Sequence, residues 1–527
     1  MRDDQEFLSI PNVVRAAARR FADRTALVDG DRRLSFWELK DQVVQAVSAA
    51  IALGVRPGDR VGLCAPNSTE WIVAACGIQG AGGIVVPLNT RFKPQELAYI
   101  LRKSGATALF AAPFQKTDFV DGLKQAEPGL PALRTTVSLV EEPGGAGLGW
   151  SGFLSLGTDR AAAHSAIDRL TPDDVSDVMF TSGTTGHPKG VILTHGQSLR
   201  AYGWMSAEYG FDTADSFLVI PPFFHCFGYK AGWLASFLHG VTVIPMAVFD
   251  AGRALRLIER ERVSILLGPP TIFHDLLRHP DRADRDLSSL RVSMTGGSTI
   301  PESLIHAMKK DLSFDIVLSA YGLTESTALV STTRPDDTEE TVARTTGRPI
   351  PDVEVRLTDP SGREVPPGAD GEVQVRGYNV TRGYWDDPEA TAAAVDEDGW
   401  LHTGDIGRLD DLGNLAIVDR KKEMYIVGGF NAYPAEIEKL LLECASVAQV
   451  AVVGVPDARM GEVGCAYVVP APGTDPTEES VVAWARENMA NFKVPRHVRF
   501  VDALPRNASL KVLKDDLRAR FEAGDRG

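Results

Sequence analysis

The sequence predicts an α/β protein: a large N-terminal domain of layered α/β sheets with a small antiparallel β unit, followed by a small α+β C-terminal domain. Three observations predict it. At 527 residues the chain is too long for one core, so two or more domains are expected. Helical periodicity near 35–55 and 93–103 alternates with short apolar runs, the pattern of helices packed on parallel strands. The patterning then changes character twice, near 351 and near 420.

Taken in order, Arg60-Val61-Gly62-Leu63-Cys64 and Gly83-Ile84-Val85-Val86-Pro87 read as buried strands. The longest apolar run, Trp71 to Leu88, is broken by Gln79, four glycines and Pro87, so it reads as a buried helix and strand rather than a membrane span. Pro143 to Gly149 is a glycine-rich surface loop. Val175 to Phe180 and Gly190 to Leu193 read as strands flanking a polar loop. From 351 to 418, Asp352–Leu357 and Gly371–Arg376 alternate with period two between Gly/Pro/Asp turns, an antiparallel β unit. Beyond Asp419-Arg420-Lys421-Lys422, Pro434 opens a helix with Ile437, Leu440, Leu441 and Cys444 on one face. Strands follow at Val447–Val455 and Val463–Val469. The expected boundary lies near 420, separating residues 1–419 from 423–527.

Composition excludes some classes. The net charge of −15, from 55 basic and 70 acidic side chains, argues against nucleic-acid or anionic-membrane binding. An anionic ligand must then be met by local positive groups. Cys64, Cys76, Cys226, Cys444 and Cys465 are scattered without metal spacing, which suggests reduced thiols in a cytoplasmic protein. Met1 to Glu6 has no apolar signal core.

The chemistry concentrates in Thr181-Ser182-Gly183-Thr184-Thr185-Gly186-His187-Pro188-Lys189-Gly190, with four hydroxyls, three glycines and one lysine in ten residues. Glycines let backbone N–H groups approach a ligand, hydroxyls add donors, and Lys189 adds a mobile charge: a combination suited to polyphosphate. The spacing is not that of the Walker loop. The alternative is a flexible polar hairpin.

This string resembles the phosphate loop of the adenylate-forming superfamily, which includes acyl-CoA synthetases, luciferases and carrier-loading adenylation domains. Further motifs follow in the same order, and the resemblance covers nearly the whole chain. It implies that Thr181, Ser182, Gly183, Thr184, Thr185, Gly186 and Lys189 embrace the phosphates of ATP. Tyr321-Gly322-Leu323-Thr324-Glu325 is similar to the family's aromatic-Gly-x-Thr-Glu motif. Tyr321 would stack on adenine, Thr324 would bond the α-phosphate, and Glu325 would hold Mg²⁺, which is satisfied by one carboxylate beside phosphates. Thr295-Gly296-Gly297-Ser298 would form the adenine-side wall. Asp405, in Leu401-His402-Thr403-Gly404-Asp405, would accept from both ribose hydroxyls, and Arg420 would also touch ribose. The resemblance also implies a β-barrel-like form for 351–418 and a mobile C-terminal domain that swings about a hinge at 420–422, with Lys422 at the family's hinge position. Gly428-Gly429-Phe430-Asn431 is similar to the loop lining the pantetheine tunnel of CoA.

Pro221 to Lys230 resembles the substrate-side motif, with His225, Phe227 and Gly228 lining an acyl channel. It offers no Asp for a substrate amine, which argues against an amino acid. Lys230 would meet a keto or carboxylate oxygen of the acid; an exposed lysine is the plainer alternative. Pro222 to Gly232, with Glu423 to Asn431, resembles bacterial CoA ligases for ring-bearing propionates of steroid breakdown, so a bulky polycyclic, steroid- or terpenoid-derived acid is expected. A medium- or long-chain fatty acid is the alternative substrate. A carrier-protein-loading enzyme, a luciferase-like oxygenase and a non-catalytic scaffold remain as rival classes.

The chemistry implied is acid activation as an acyl-adenylate, then attack by the CoA thiol. Lys511 would bridge carboxylate and phosphate during activation. Here the chain departs from the pattern, placing Leu510 where the family has glycine. Adenylation weakened or lost, with thioester formation retained, is therefore expected. The partners expected are the acid or its adenylate and CoA, with no nucleic acid and no membrane span, and a homodimer as the assembly considered.

Overall fold

The computed structural model describes residues 7–115, 118–126, 129–141, 147–181, 188–296, 300, 302–420, 423–427, 430–457, 460–489, 491–507 and 512–524. Among these, the strands form four sheets.

The six-stranded sheet runs Thr135–Ser138, Ala108–Ala111, Arg60–Cys64, Ile84–Pro87, Val175–Thr181, Lys189–Thr194, and is parallel until its last pair. The nine-stranded sheet has a parallel centre, Ile316–Tyr321, Val292–Gly296, Ile265–Leu267, Ser216–Val219, Thr242–Pro245 and Thr25–Asp29, with antiparallel strands at its edges. The central parallel strands Arg60–Cys64, Ile84–Pro87 and Ile265–Leu267 are almost wholly buried, as a parallel sheet requires.

The helices Phe36–Ala52 and Thr69–Gly80 pack against each other in the main core. The first starts where Ser35 Oγ accepts from Glu38 N and the Glu38 carboxylate accepts from Ser35 N, a reciprocal cap. The second is buried on every side except at Glu70, which explains its unbroken apolar stretch from Trp71 to Ile78. The run from Trp71 to Leu88 is thus a helix and the strand Ile84–Pro87, as its glycines suggest. Among the described residues, no helix is long and apolar enough to cross a membrane.

The expected antiparallel unit is a four-stranded meander, Val353–Thr358, Asp370–Gly377, Leu401–Leu409 and Leu415–Arg420. Its last strand ends where the composition shifts. Beyond it the strands Tyr425–Val427, Val447–Asp457, Gly461–Pro470 and His497–Phe500 belong to a further five-stranded sheet, with the helix Pro434–Leu441 burying Ile437 and Leu441. All five cysteines are free and buried.

Candidate active site

The strands Val175–Thr181 and Lys189–Thr194 pair antiparallel, with Thr181 opposite Lys189 and Phe180 opposite Gly190. The two strands predicted around the hydroxyl- and glycine-rich string are therefore present, and they pair with each other. The segment between them, Ser182 to His187, lies outside the described residues, as do Gly297, Ser298, Lys422, Gly428, Gly429, Leu510 and Lys511.

A short segment, Thr381 to Trp385, straps this hairpin to Glu325. Trp385 N donates to Gly190 O and Ile192 N to Gly383 O, while Thr381 N donates to Glu325 O at 2.7 Å. Tyr384 is thereby set between two predicted site residues. Its hydroxyl donates to Glu325 Oε1 at 2.9 Å, and Lys189 Nζ stands 5.1 Å from its ring centre. Burial, then the neighbouring Glu325 carboxylate, pushes the Tyr384 hydroxyl above its ordinary range, so it remains a donor.

Glu325 sits in a tight turn, Thr324–Ser326, followed by two non-glycine residues in left-handed conformation, Thr327 (φ 57°) and Ala328 (φ 60°). Each costs about 1–2 kcal/mol. The turn is held by Thr327 Oγ1 donating to Asn379 O at 2.8 Å, Asn379 Nδ2 to Leu329 O at 2.8 Å, and Tyr202 to Thr327 O at 2.9 Å. Gly322 is needed for the fold-back: a Cβ there would lie 2.3 Å from the Ala328 carbonyl carbon. Such strained residues persist only where the surrounding structure over-determines them.

Tyr321 ends its strand with its hydroxyl donating to Asp405 Oδ2 at 2.6 Å. Asp405 is buried, and its backbone N–H bonds Thr403 Oγ1. Arg420 lies opposite Asp405 in the ladder, and Gly296 lies opposite Ala320, next to Tyr321. The predicted adenine and ribose residues are therefore adjacent.

The Pro221–Lys230 motif folds as a loop and a short helical turn. Asn67 anchors it, donating to Pro221 O at 2.9 Å and accepting from Phe223 N at 2.7 Å. His225 caps the turn Cys226–Gly228, its Nδ1 accepting from Phe227 N at 3.2 Å, so the fitting neutral tautomer carries its proton on Nε2. Gly228 allows close chain approach, because a Cβ would fall 2.1 Å from Pro221 O. Burial pushes the Cys226 thiol up to about 12, so it is no nucleophile.

Lys230 departs from both expectations. It is neither exposed nor offered to a pocket: it is fully buried and paired with the equally buried Asp177. A buried cluster of Met179, Val191, Leu193 and Cys226, with Ala328 and Tyr384 packed on it, joins hairpin, acid motif and Glu325 turn beneath the site.

The predicted residues that are described thus converge, except Lys230. Sequence reasoning missed Tyr384, Asn67, Asn379 and Asp177. Only Asp177 carried a signal: a lone charge inside an apolar strand requires a buried partner. Among the described residues no group of three His, Cys, Asp or Glu gathers to cage a metal. A lone carboxylate such as Glu325 fits Mg²⁺, which takes its other oxygens from phosphate and water.

The family model and the near-full-length relatives that match this chain identify an adenylate-forming acid–thiol ligase. The chain belongs to the AMP-binding enzyme family: residues 14–385 match the AMP-binding enzyme model and residues 436–511 its C-terminal domain. It is 51% identical over 515 residues to the 3-[(3aS,4S,7aS)-7a-methyl-1,5-dioxo-octahydro-1H-inden-4-yl]propanoyl:CoA ligase of Mycobacterium tuberculosis, covering 97% of this chain and 98% of that protein. It is 49% identical over 517 residues to the ligase of the same name from Rhodococcus jostii, covering 96% and 98%. Among solved structures it resembles the anthranilate CoA ligase AuaEII in complex with anthranoyl-AMP, with TM-score 0.90, 27% identity and 99% of both chains covered.

Proposed function

We propose that this acyl-CoA ligase acts on a bulky polycyclic propanoate, of the kind for which its two half-identical relatives are named. That near-full-length similarity carries the reading. The test supplies ATP, CoA and either the dioxo-octahydroindenyl propanoate or octanoate and palmitate. The expected result is AMP and the bicyclic CoA thioester, with kcat/KM at least about tenfold above either fatty acid; a preference for a fatty acid overturns it.

The residue roles we propose are those that the family resemblance implies. Thr181, Lys189 and the string between them hold the triphosphate. Tyr321 covers adenine, Asp405 and Arg420 hold ribose, and Thr324 bonds the α-phosphate. Glu325 would hold Mg²⁺, which offsets phosphate charge when bound. A carboxylate oxygen of the acid attacks the α-phosphorus as the bond to pyrophosphate breaks. The CoA sulfur then attacks the acyl carbon, losing its proton as AMP leaves. The chain's part is alignment, charge neutralisation and water exclusion. His225, Phe227 and Gly228 wall the acid. The C-terminal unit, from 423, pivots at Lys422, brings Lys511 in for the first half and the Gly428-Gly429 loop for the second.

Leu510 bears on the first half. A side chain beside Lys511, in place of glycine, displaces the ammonium or strains the loop by about 1–2 kcal/mol if positive φ is needed. Adenylation is then weaker than thioesterification. Acid with ATP in one tube, and preformed adenylate with CoA in another, compare the halves; equal efficiency disposes of the idea.

A further inference from the structure

The strand Val175–Thr181 that leads into the phosphate-loop string touches the acid motif at two points, and both are buried. Met179 Sδ lies 3.2 Å from Cys226 Sγ. Two residues earlier, Asp177 binds the Lys230 ammonium. Asp177 also accepts from Ser176 Oγ at 2.7 Å and from Gln79 Nε2 at 3.3 Å. Gln79 Nε2 donates in turn to the Tyr229 hydroxyl at 2.7 Å, and Lys230 Nζ lies 4.0 Å from the Tyr229 ring centre.

Lys230 stands in a π-helical stretch, Tyr229–Leu234, directly after the turn Cys226–Gly228. Such widened turns are rare and concentrate at functional sites. A buried ion pair is a poor source of stability, since desolvating two charges offsets their attraction, but in some proteins it fixes register. One ammonium in one carboxylate allows a single placement of the π-helical stretch along the strand.

We propose that the Asp177–Lys230 pair is a positioning element coupling the acid wall at Cys226–Gly228 to the strand feeding the phosphate loop. Acid binding and nucleotide binding then strengthen each other through it. This rests on the ligase reading above, and the experiment separates the two.

Single substitutions strand a buried charge, so two double variants are used. Asp177→Leu/Lys230→Met replaces the pair with apolar groups, and Asp177→Asn/Lys230→Gln keeps a neutral hydrogen bond. Calorimetry with α,β-methylene-ATP, with and without the dioxo-octahydroindenyl propanoate, gives the coupling factor. Wild type should show at least about fivefold tightening, the low end for coupled sites. In the apolar variant the factor should fall to about one and acid KM should rise about tenfold, while analogue affinity without acid stays within about twofold. The hydrogen-bonded variant should fall between.

A wild-type factor near one overturns the proposal, as does a double variant that keeps wild-type coupling and acid KM. If the apolar variant does not fold, the hydrogen-bonded one decides by the same criterion. Failure of wild type to bind the analogue at all would instead sink the ligase reading.

Discussion

Tyr384 donates to Glu325 Oε1 at 2.9 Å while its ring lies 5.1 Å from Lys189 Nζ. One side chain thus braces the carboxylate proposed for Mg²⁺ and stands beside the lysine proposed for phosphate. Tyr384→Phe should lower kcat/KM for ATP about tenfold, roughly 1.4 kcal/mol, the low end for a hydrogen bond to a charged group. Half-saturating Mg²⁺ should rise with little change in melting temperature. Wild-type Mg²⁺ dependence in this variant would remove Tyr384 from the site.

Asp405 accepts from Tyr321 at 2.6 Å and is buried. Asp405→Ala should raise ATP KM about hundredfold, roughly 3 kcal/mol for two ribose hydrogen bonds to a carboxylate. Tyr321→Phe, which leaves the carboxylate in place, should cost only about threefold. CoA KM, measured with preformed adenylate, should be unaffected in the tyrosine variant.

Gly228 has Pro221 O 2.1 Å and Pro222 O 2.4 Å from where a Cβ would stand. Gly228→Ala must move the acid motif and should destabilise the protein by about 1–3 kcal/mol, as overpacking does. Urea unfolding gives the stability term, and acid KM should rise while binding of an ATP analogue is kept. An acid KM equal to wild type would place Gly228 away from the acid.

His195 is fully buried, and its Nδ1 accepts from Ile10 N at 3.2 Å. Burial, then the Lys230 charge, pushes the imidazole down to about 3. The unfolded chain therefore binds a proton near pH 6.5 that the folded chain refuses. Stability from this group is complete above about pH 6.5 and is lost as pH falls toward about 3, at no more than roughly 1.4 kcal/mol per pH unit. His195→Gln, which still offers an acceptor, should flatten that slope in urea melts between pH 6.5 and 4. An unchanged slope would mean that His195 does not titrate on unfolding.

Much of the site was legible as strings. The strand pair from Val175 to Thr194 follows from two apolar strands around a glycine-rich centre, and Tyr321 to Glu325 run from a strand end into the adjoining turn. Such segments carry their own geometry, since neighbours in sequence are neighbours in space. Tyr384 was not legible, because its partners Glu325 and Lys189 lie far away in sequence and no period marks it. Asn67 and Asn379 escaped for the same reason: each satisfies backbone groups of a distant loop.

The amino-acid order by itself determined the layered α/β class, the antiparallel meander before Arg420, the small unit after it, and the hydroxyl- and glycine-rich hairpin. Each depends on periodicity or on residue type at short range. Only the tertiary structure decided what becomes of Lys230. The string Phe227-Gly228-Tyr229-Lys230 is compatible with a lysine in water or at a ligand; the fold closes Asp177, Gln79 and Tyr229 around it. The free energy of a charge is set by the solvent and partners that surround it, and these are assembled by strands and helices distant in the chain.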